Sequence, residues 1–268
     1  MVLELGATAA RNRAFMNDQI VELRPAPAEA AGRSRRVSIT FDDGFRGAAE
    51  TAMPILERHG LPATFYLVTG WVEPARVPIS DPFNMRRSHG AWSFWREVTS
   101  RGHEVGSHGF SHVNAAGRKA RLLPWIVPQE IAKSAADLKR HLPASSFTMS
   151  MPWNAASRIS EACARRHFSA CRLGGSALEY NMVDALRPFA LRSWAPGPQH
   201  GWEDYVRAIE GLPEGGWLIL QFHSFGCEGW EPISPRLFGK LCRFLARQPL
   251  RVDTVSAHRE LLDNPATR

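Results

Sequence analysis

The sequence predicts an α/β protein organised as a single domain, and three observations carry that expectation. Short runs rich in β-branched and aromatic residues alternate with stretches of helical spacing. Two of these runs end in carboxylate or imidazole side chains, at the strand C-termini where α/β folds gather their chemistry. A length of 268 residues builds one sizeable core without requiring a second.

The alternation starts at Ser38-Ile39-Thr40-Phe41, a short buried strand that exits through the flexible Gly44. Ala48 to His59 has helical spacing and stops at Gly60, and Ala63 to Val68 follows as a buried strand, a βαβ beginning. Trp92 to Ser100 is the next amphipathic helix, stopped near Gly102 before a short strand that delivers His108. Pro128 to His141 reads as a helix and Ser146 to Met149 as the strand running toward Pro152. Further cycles pass through Ile159 to His167, Trp202 to Gly211, Trp217 to Phe222 and Ser234 to Arg247, with Arg251 to Val255 as the last strand. Between Gly70 and Ala91 an irregular stretch carrying Trp71, Phe83, Asn84 and His89 is expected to shape access to the site.

Asp42 and Asp43 stand at the C-terminal end of the first strand, where a turning backbone lets both carboxylates approach one pocket. His108 and His112 are four positions apart, so their imidazoles meet one cation if the segment coils locally. Two histidines and one aspartate leave coordination positions open, as catalytic zinc sites do, and the second aspartate remains free to act as a base. The same three ligands also suit a non-haem iron oxygenase, a reading that leaves His223 without a task.

These residues carry a resemblance to the polysaccharide deacetylase family, which shares the homology domain of the nodulation chitooligosaccharide deacetylase (carbohydrate esterase family 4). Thr40-Phe41-Asp42-Asp43-Gly44 resembles its first motif, and the run from Gly102 to His112 its second, with Gly109 in place of the usual hydroxyl residue. Leu220-Gln221-Phe222-His223 is similar to its late Leu-x-x-His motif. The resemblance spans Val37 to Leu262 and implies one deformed (β/α) barrel, preceded by an arm over 1–36 and followed by a tail over 263–268. It also implies a metal-dependent hydrolase that removes an acetyl group, N-acetyl first, from a saccharide or glycoconjugate. Asp43, His108 and His112 would hold a divalent cation, with zinc expected and cobalt, nickel or iron also suited. Asp42 would be the base and His223 the acid. Pro152 and Trp153 would lie at the oxyanion, with the Trp153 backbone N–H as a donor.

Two positions depart from the family pattern. Ser150, in Ser150-Met151-Pro152-Trp153, stands where an arginine that orients the base is expected. Leu191-Arg192-Ser193-Trp194 keeps the tryptophan of the fourth motif and loses both aspartates. Arg192 is a candidate to replace the lost guanidinium from another strand, Trp194 a candidate substrate contact, and Asp184 or Glu179 a candidate partner for His223. A hydrolase of a non-sugar amide such as a cyclic ureide is one alternative. A catalytically silent carbohydrate-binding protein, prompted by the missing residues, is another.

Composition narrows the setting. The segment over 1–36 contains Ala26-Pro27-Ala28-Glu29-Ala30-Ala31-Gly32 and ends in Arg33-Ser34-Arg35-Arg36, with no apolar run of signal-peptide length, and no other window reads as a membrane span. A cytoplasmic protein is expected. Cys163, Cys171, Cys227 and Cys242 have no Cys-x-x-Cys spacing, which argues for free thiols. The net charge of +7 comes from scattered arginines that read as solvated, so nucleic acid is not an expected partner, and an acetylated oligosaccharide or glycoconjugate is.

Overall fold

Seven parallel strands close on themselves. In a computed structural model describing residues 34–72, 89–175, 177–226 and 229–262, these are β1 (Arg36–Phe41), β2 (Thr64–Leu67), β3 (Glu104–Ser107), β4 (Thr148–Ser150), β5 (Ala170–Gly175), β7 (Leu191–Trp194) and β8 (Gly216–Phe222). They pair in that order, and β8 returns to β1 from Arg36↔Trp217 to Phe41↔Phe222, so the sheet is a barrel. Two short strands sit outside the ring: β6 (Asn181–Met182), antiparallel on β8, and β9 (Arg251–Val252), parallel on β1. The expected tail, all but the last three residues of the expected arm, and Phe83 and Asn84 of the access stretch lie outside the described residues.

Parallel strands need crossovers, and helices supply them. They are α1 (Arg46–Glu57), α2 (Trp92–Ser100), α3 (Arg118–Leu122), α4 (Ile126–His141), α5 (Arg158–His167), α6 (Trp202–Glu210), α7 (Pro235–Leu245) and α8 (Arg259–Leu262). The start of α4 lies two residues before the expected Pro128, because a proline in the first turn removes an N–H that has no helical partner there. A reciprocal box starts α5: Ser157 Oγ accepts from the Ser160 N–H at 3.2 Å and Ser160 Oγ from the Ser157 N–H at 2.8 Å. No helix among the described residues is long and apolar enough to cross a membrane.

Strand alternation sorts the side chains into two environments. Val37, Ile39 and Phe41 of β1, with Leu218, Leu220 and Phe222 of β8, join the main apolar core that the helices cover. Trp217, Ile219, Ala170 and Leu191 form a second apolar cluster with Val255, Leu261 and Leu262, at the ends where these strands begin. Between that floor and the strand C-termini the lumen is polar and internally paired. The Glu104 carboxylate accepts from Thr64 Oγ1 at 2.9 Å, from the Ser256 N–H at 2.9 Å and from Thr148 Oγ1. Tyr66 and Thr148 share a hydrogen bond of 3.1 Å.

The sequence reading left the stretch after His167 without a strand, and β5 is there. Its Gly174-Gly175 ending and its internal arginine run against strand preference, whereas Arg172 is buried inside the barrel. The last strand is shorter than expected, since Asp253 Oδ1 accepts from the Thr254 N–H at 2.9 Å and turns the chain away.

Gly106 of β3 makes room for the Tyr66 ring. A Cβ there would lie 2.7 Å from that ring and 2.7 Å from the Thr148 carbonyl oxygen, which is backbone and cannot yield. Gly106→Ala is expected to destabilise the fold by about 1–3 kcal/mol, read as a lower urea midpoint at constant slope. An unchanged midpoint would contradict this packing.

Candidate metal centre

Asp42 and Asp43 reach one pocket because the backbone changes hand between them. The Asp42 N–H donates to the Phe222 carbonyl at 2.8 Å, which keeps Asp42 in the β1–β8 ladder and continues the inward row above Thr40. Asp43 then takes a left-handed conformation, φ 70°, followed by Gly44 at φ 74°. Both carboxylates face His108, whose Nε2 is 3.9 Å from Asp42 Oδ2 and 3.5 Å from Asp43 Oδ1.

The two histidines do not share a helical face as their spacing suggested. The segment after β3 is a loop in which Gly109 (φ 78°) and His112 (φ 60°) are left-handed, and these turns bring the rings to 5.0 Å between centroids. Neighbouring elements pin that loop from both sides. The Thr69 and Gly70 N–H groups donate to the carbonyls of Gly109 and Phe110 at 3.0 and 2.8 Å. From α4, Glu130 accepts from the Ser111 N–H and hydroxyl at 2.7 and 2.8 Å, and the Lys133 ammonium lies 3.5 Å over the Phe110 ring. A Cβ on Gly109 would approach Pro152 Cγ to 3.3 Å, so glycine suits this position on both backbone and packing grounds.

Asp43, His108 and His112 each place one ligand atom within 4.8 Å of the others. The chemistry of these donors fits a cation. His108 Nδ1 lies 2.9 Å from the Ser150 carbonyl and therefore carries the proton, which leaves the Nε2 lone pair toward Asp43. Burial lowers the pKa of His108, and burial together with His108 pushes His112 down to about 3, so both rings are unprotonated at neutral pH. Asp43 Oδ1 is buried with no hydrogen-bond partner among the described residues. Burial, with the charge of Asp42 beside it, pushes the Asp43 carboxyl up to about 8. A buried acceptor facing two neutral imidazoles satisfies its lone pairs by binding a positive ion.

Asp42 is held differently. Its Oδ2 accepts from the Arg172 guanidinium, from Gln221 Nε2 at 3.1 Å and from Ser150 Oγ at 3.4 Å. Burial alone would raise its pKa, but Arg172 first, then His108 and His223, more than offset that, and the carboxyl lies below its ordinary value. The other oxygen, Oδ1, is buried and has no hydrogen-bond partner among the described residues. His223 follows β8, as expected. Burial pushes its pKa down to about 4, with Asp42 acting in the opposite direction, so its resting form is neutral.

A family model described as polysaccharide deacetylase matches residues 29–167, just over half of the chain. The chain belongs to the polysaccharide deacetylase family. No curated protein sequence matches it. Among solved structures it is similar to the Bc1960 peptidoglycan N-acetylglucosamine deacetylase, at 18% identity and a TM-score of 0.55 over 87% of this chain and 89% of that one. It is also similar to a family 4 acetyl xylan esterase from Clostridium thermocellum in complex with cobalt, at 18% identity and a TM-score of 0.55 over 86% and 93%. Peptidoglycan deacetylase PdaC from Bacillus subtilis matches at 14% identity and a TM-score of 0.53 over 88% and 94%. These likenesses show the deformed barrel fold.

For a polysaccharide deacetylase the departures at positions 150 and 191–194 now have a structural reading. Arg192 does not replace the missing guanidinium: strand alternation turns it outward, where it is half-exposed and 3.5 Å from Glu179. Trp194 faces outward too, buried against Tyr205 of α6, and is a core residue rather than a substrate contact. Asp184 sits in the short turn after β6, which pairs with the first residues of β8, whereas His223 follows the last. Neither Glu179 nor Asp184 therefore serves His223. The residue that sequence reasoning missed is Arg172. A lone arginine within an otherwise small and apolar run, Ala170-Cys171-Arg172-Leu173, was its one available signal. Pro152 is buried, and Trp153 is exposed with its indole N–H donating to the His112 carbonyl at 3.2 Å, so both lie beside the centre.

Asp43→Asn is expected to abolish cation binding while raising the melting temperature of chelator-treated protein at pH 7 by roughly 5 °C. The folded state keeps the Asp43 proton up to about pH 8, whereas the unfolded chain loses it near the ordinary aspartate value of 3.8. Metal-free stability therefore falls as pH rises between these values, and asparagine removes that loss. A lower melting temperature in Asp43→Asn would show that this carboxylate stabilises the fold by itself.

Proposed function

We propose that the protein is a metal-dependent hydrolase that removes an acetyl group, N-acetyl in preference to O-acetyl, from a saccharide or glycoconjugate. One observation carries the reading: Asp42, whose Oδ2 lies 3.9 Å from His108 Nε2, has that oxygen fixed by three donors and Oδ1 buried without a hydrogen-bond partner among the described residues. An ionised carboxylate with a single free lone-pair edge is arranged to take a proton from one direction. Similar solved structures support the class, since they include a peptidoglycan N-acetylglucosamine deacetylase and an acetyl xylan esterase.

Asp43, His108 and His112 would hold the cation, which when bound supplies Lewis acidity toward an acyl oxygen and a water molecule. Zinc suits these donors, as do cobalt, nickel and iron. Asp42 takes a proton from water at Oδ1 while Arg172 holds Oδ2. The oxygen of that water forms a bond to the acetyl carbon, and the developing oxyanion meets the backbone N–H of Trp153. His223, neutral at rest, takes over the proton that Asp42 removed from water and delivers it to the amine nitrogen as the C–N bond breaks. Acetate and the free amine leave, and the charges balance.

The exposed indole of Trp153 packs at 5.5 Å from the His112 ring, which sets a flat apolar face beside the centre for a sugar ring. A cytoplasmic setting is part of the proposal and favours small glycoconjugates over intact polymer as substrates. The silent-binder reading loses one of its grounds, because Arg172 supplies the base with a guanidinium, and keeps the other, the two aspartates missing beside Trp194.

Zinc-loaded protein is expected to release acetate from one or more members of an N-acetylated chitooligosaccharide panel. Asp42→Asn should keep its metal and lose turnover by about 10²-fold or more. Full turnover in Asp42→Asn would remove it as base. For His223→Ala, the loss should shrink on substrates with good leaving groups, and equal losses across leaving groups would count against the acid role. Metal-loaded protein that is silent on the whole panel, yet releases ammonia or acid from cyclic ureides, would move the reading to non-sugar amides.

A further inference from the structure

Position 150 of β4 and position 172 of β5 are direct partners in the parallel ladder, Ser150↔Arg172. Both side chains point into the barrel, and the small Ser150 leaves the space through which Arg172 reaches across. Its Nη2 donates to Asp42 Oδ2 and to Ser150 Oγ. Its Nη1 donates to Ser193 Oγ at 2.6 Å and to Gln221 Oε1 at 2.5 Å, and Ser193 in turn donates to Gln221 at 2.9 Å. The Tyr66 ring lies 5.5 Å from the guanidinium carbon. The two edges of the fork are thus held from different strands, one from β4 and the end of β1 and the other from β7 and β8, and Arg172 is fully buried. Gly174, two residues on, keeps that space open, since a Cβ there would collide with Gln221 Oε1 and Asn154 Oδ1.

We infer that Arg172, clamped by Ser193 and Gln221, is the positioning residue of Asp42, and that it does from β5 what an arginine at position 150 would do from β4. The inference rests on the hydrolase reading, since positioning has meaning only if Asp42 acts on a substrate. Ser193 and Gln221 gain a role with it: they hold the far edge of the guanidinium so that the near edge presents one geometry to the carboxylate. A lysine could supply charge and donors from one point, but not the planar fork that holds Asp42 at one edge and Ser193 and Gln221 at the other.

The test compares wild type with Arg172→Lys, Arg172→Ser and the exchange pair Ser150→Arg/Arg172→Ser. For each, kcat and KM for acetate release are measured beside zinc content and melting temperature. Both single variants should bind zinc and lose about a hundredfold in kcat with little change in KM, the cost of a base displaced by about 1 Å. The exchange pair should recover at least about tenfold of that loss, which a merely structural role for the arginine would not produce. Zinc-loaded Arg172→Lys with wild-type kcat would overturn the assignment, as would a folded, zinc-loaded exchange pair no faster than Arg172→Ser. A double-mutant cycle in urea, Asp42→Asn against Arg172→Gln, reads the contact without any activity and should show coupling of about tenfold in the unfolding constant. Inactive wild type with that coupling intact would sink the hydrolase reading alone. Absence of coupling would overturn the clamp itself.

Discussion

The ion pair between Arg172 and Asp42, buried at the mouth of a closed barrel, is the constraint on which the rest of the site depends. Removing a charge from water costs several kcal/mol, and a buried pair is tolerable only where the remaining donors and acceptors are also paired. The lumen is built to that requirement. Ser193, Gln221 and Ser150, from three different strands, bond the guanidinium or the carboxylate, and Tyr66 lies against the guanidinium. Two atoms of the pair, Asp42 Oδ1 and Arg172 Nε, have no hydrogen-bond partner among the described residues, and Asp42 Oδ1 is the atom the proposed chemistry uses.

The two aspartates show how one strand end yields two roles. Asp42 stays in the ladder and inherits a fixed orientation from it, whereas Asp43 leaves the ladder through a left-handed residue and meets the histidines. Positive φ recurs at His112, Trp153 and Asn154, all close to the centre. Non-glycine residues hold such conformations only where their surroundings over-determine them. Here the surroundings are identifiable for the histidine loop: α4 grips it through Glu130 and Lys133, and the turn after β2 grips it through Thr69 and Gly70. Stability is thereby spent at the centre and recovered in the helices around it.

Much of this was legible in the sequence, for physical reasons that differ by element. The strands carrying Asp42 and His223 were readable because both of their faces are buried, which leaves continuous apolar runs such as Trp217-Leu218-Ile219-Leu220. The ligand set was readable from motif spacing, although the route by which His108 and His112 meet is loop geometry and not a helical face. The strand β5 was not readable, since a central strand that carries a buried arginine and ends in two glycines violates each local rule for strands. That violation marked the functional residue. Arg192 sits in a recognisable motif and so draws attention in the sequence, but period-two alternation turns it to solvent while Ser193 faces the lumen.

The two neighbouring carboxylates have separate tasks, one for the cation and one for Arg172, and anomalous diffraction at the zinc edge from zinc-loaded crystals tests that separation most directly. A single strong peak is expected about 2.0–2.2 Å from Asp43, His108 and His112, with Asp42 Oδ2 still on Arg172. A peak ligated by Asp42, with the Arg172 contact broken, would contradict that separation.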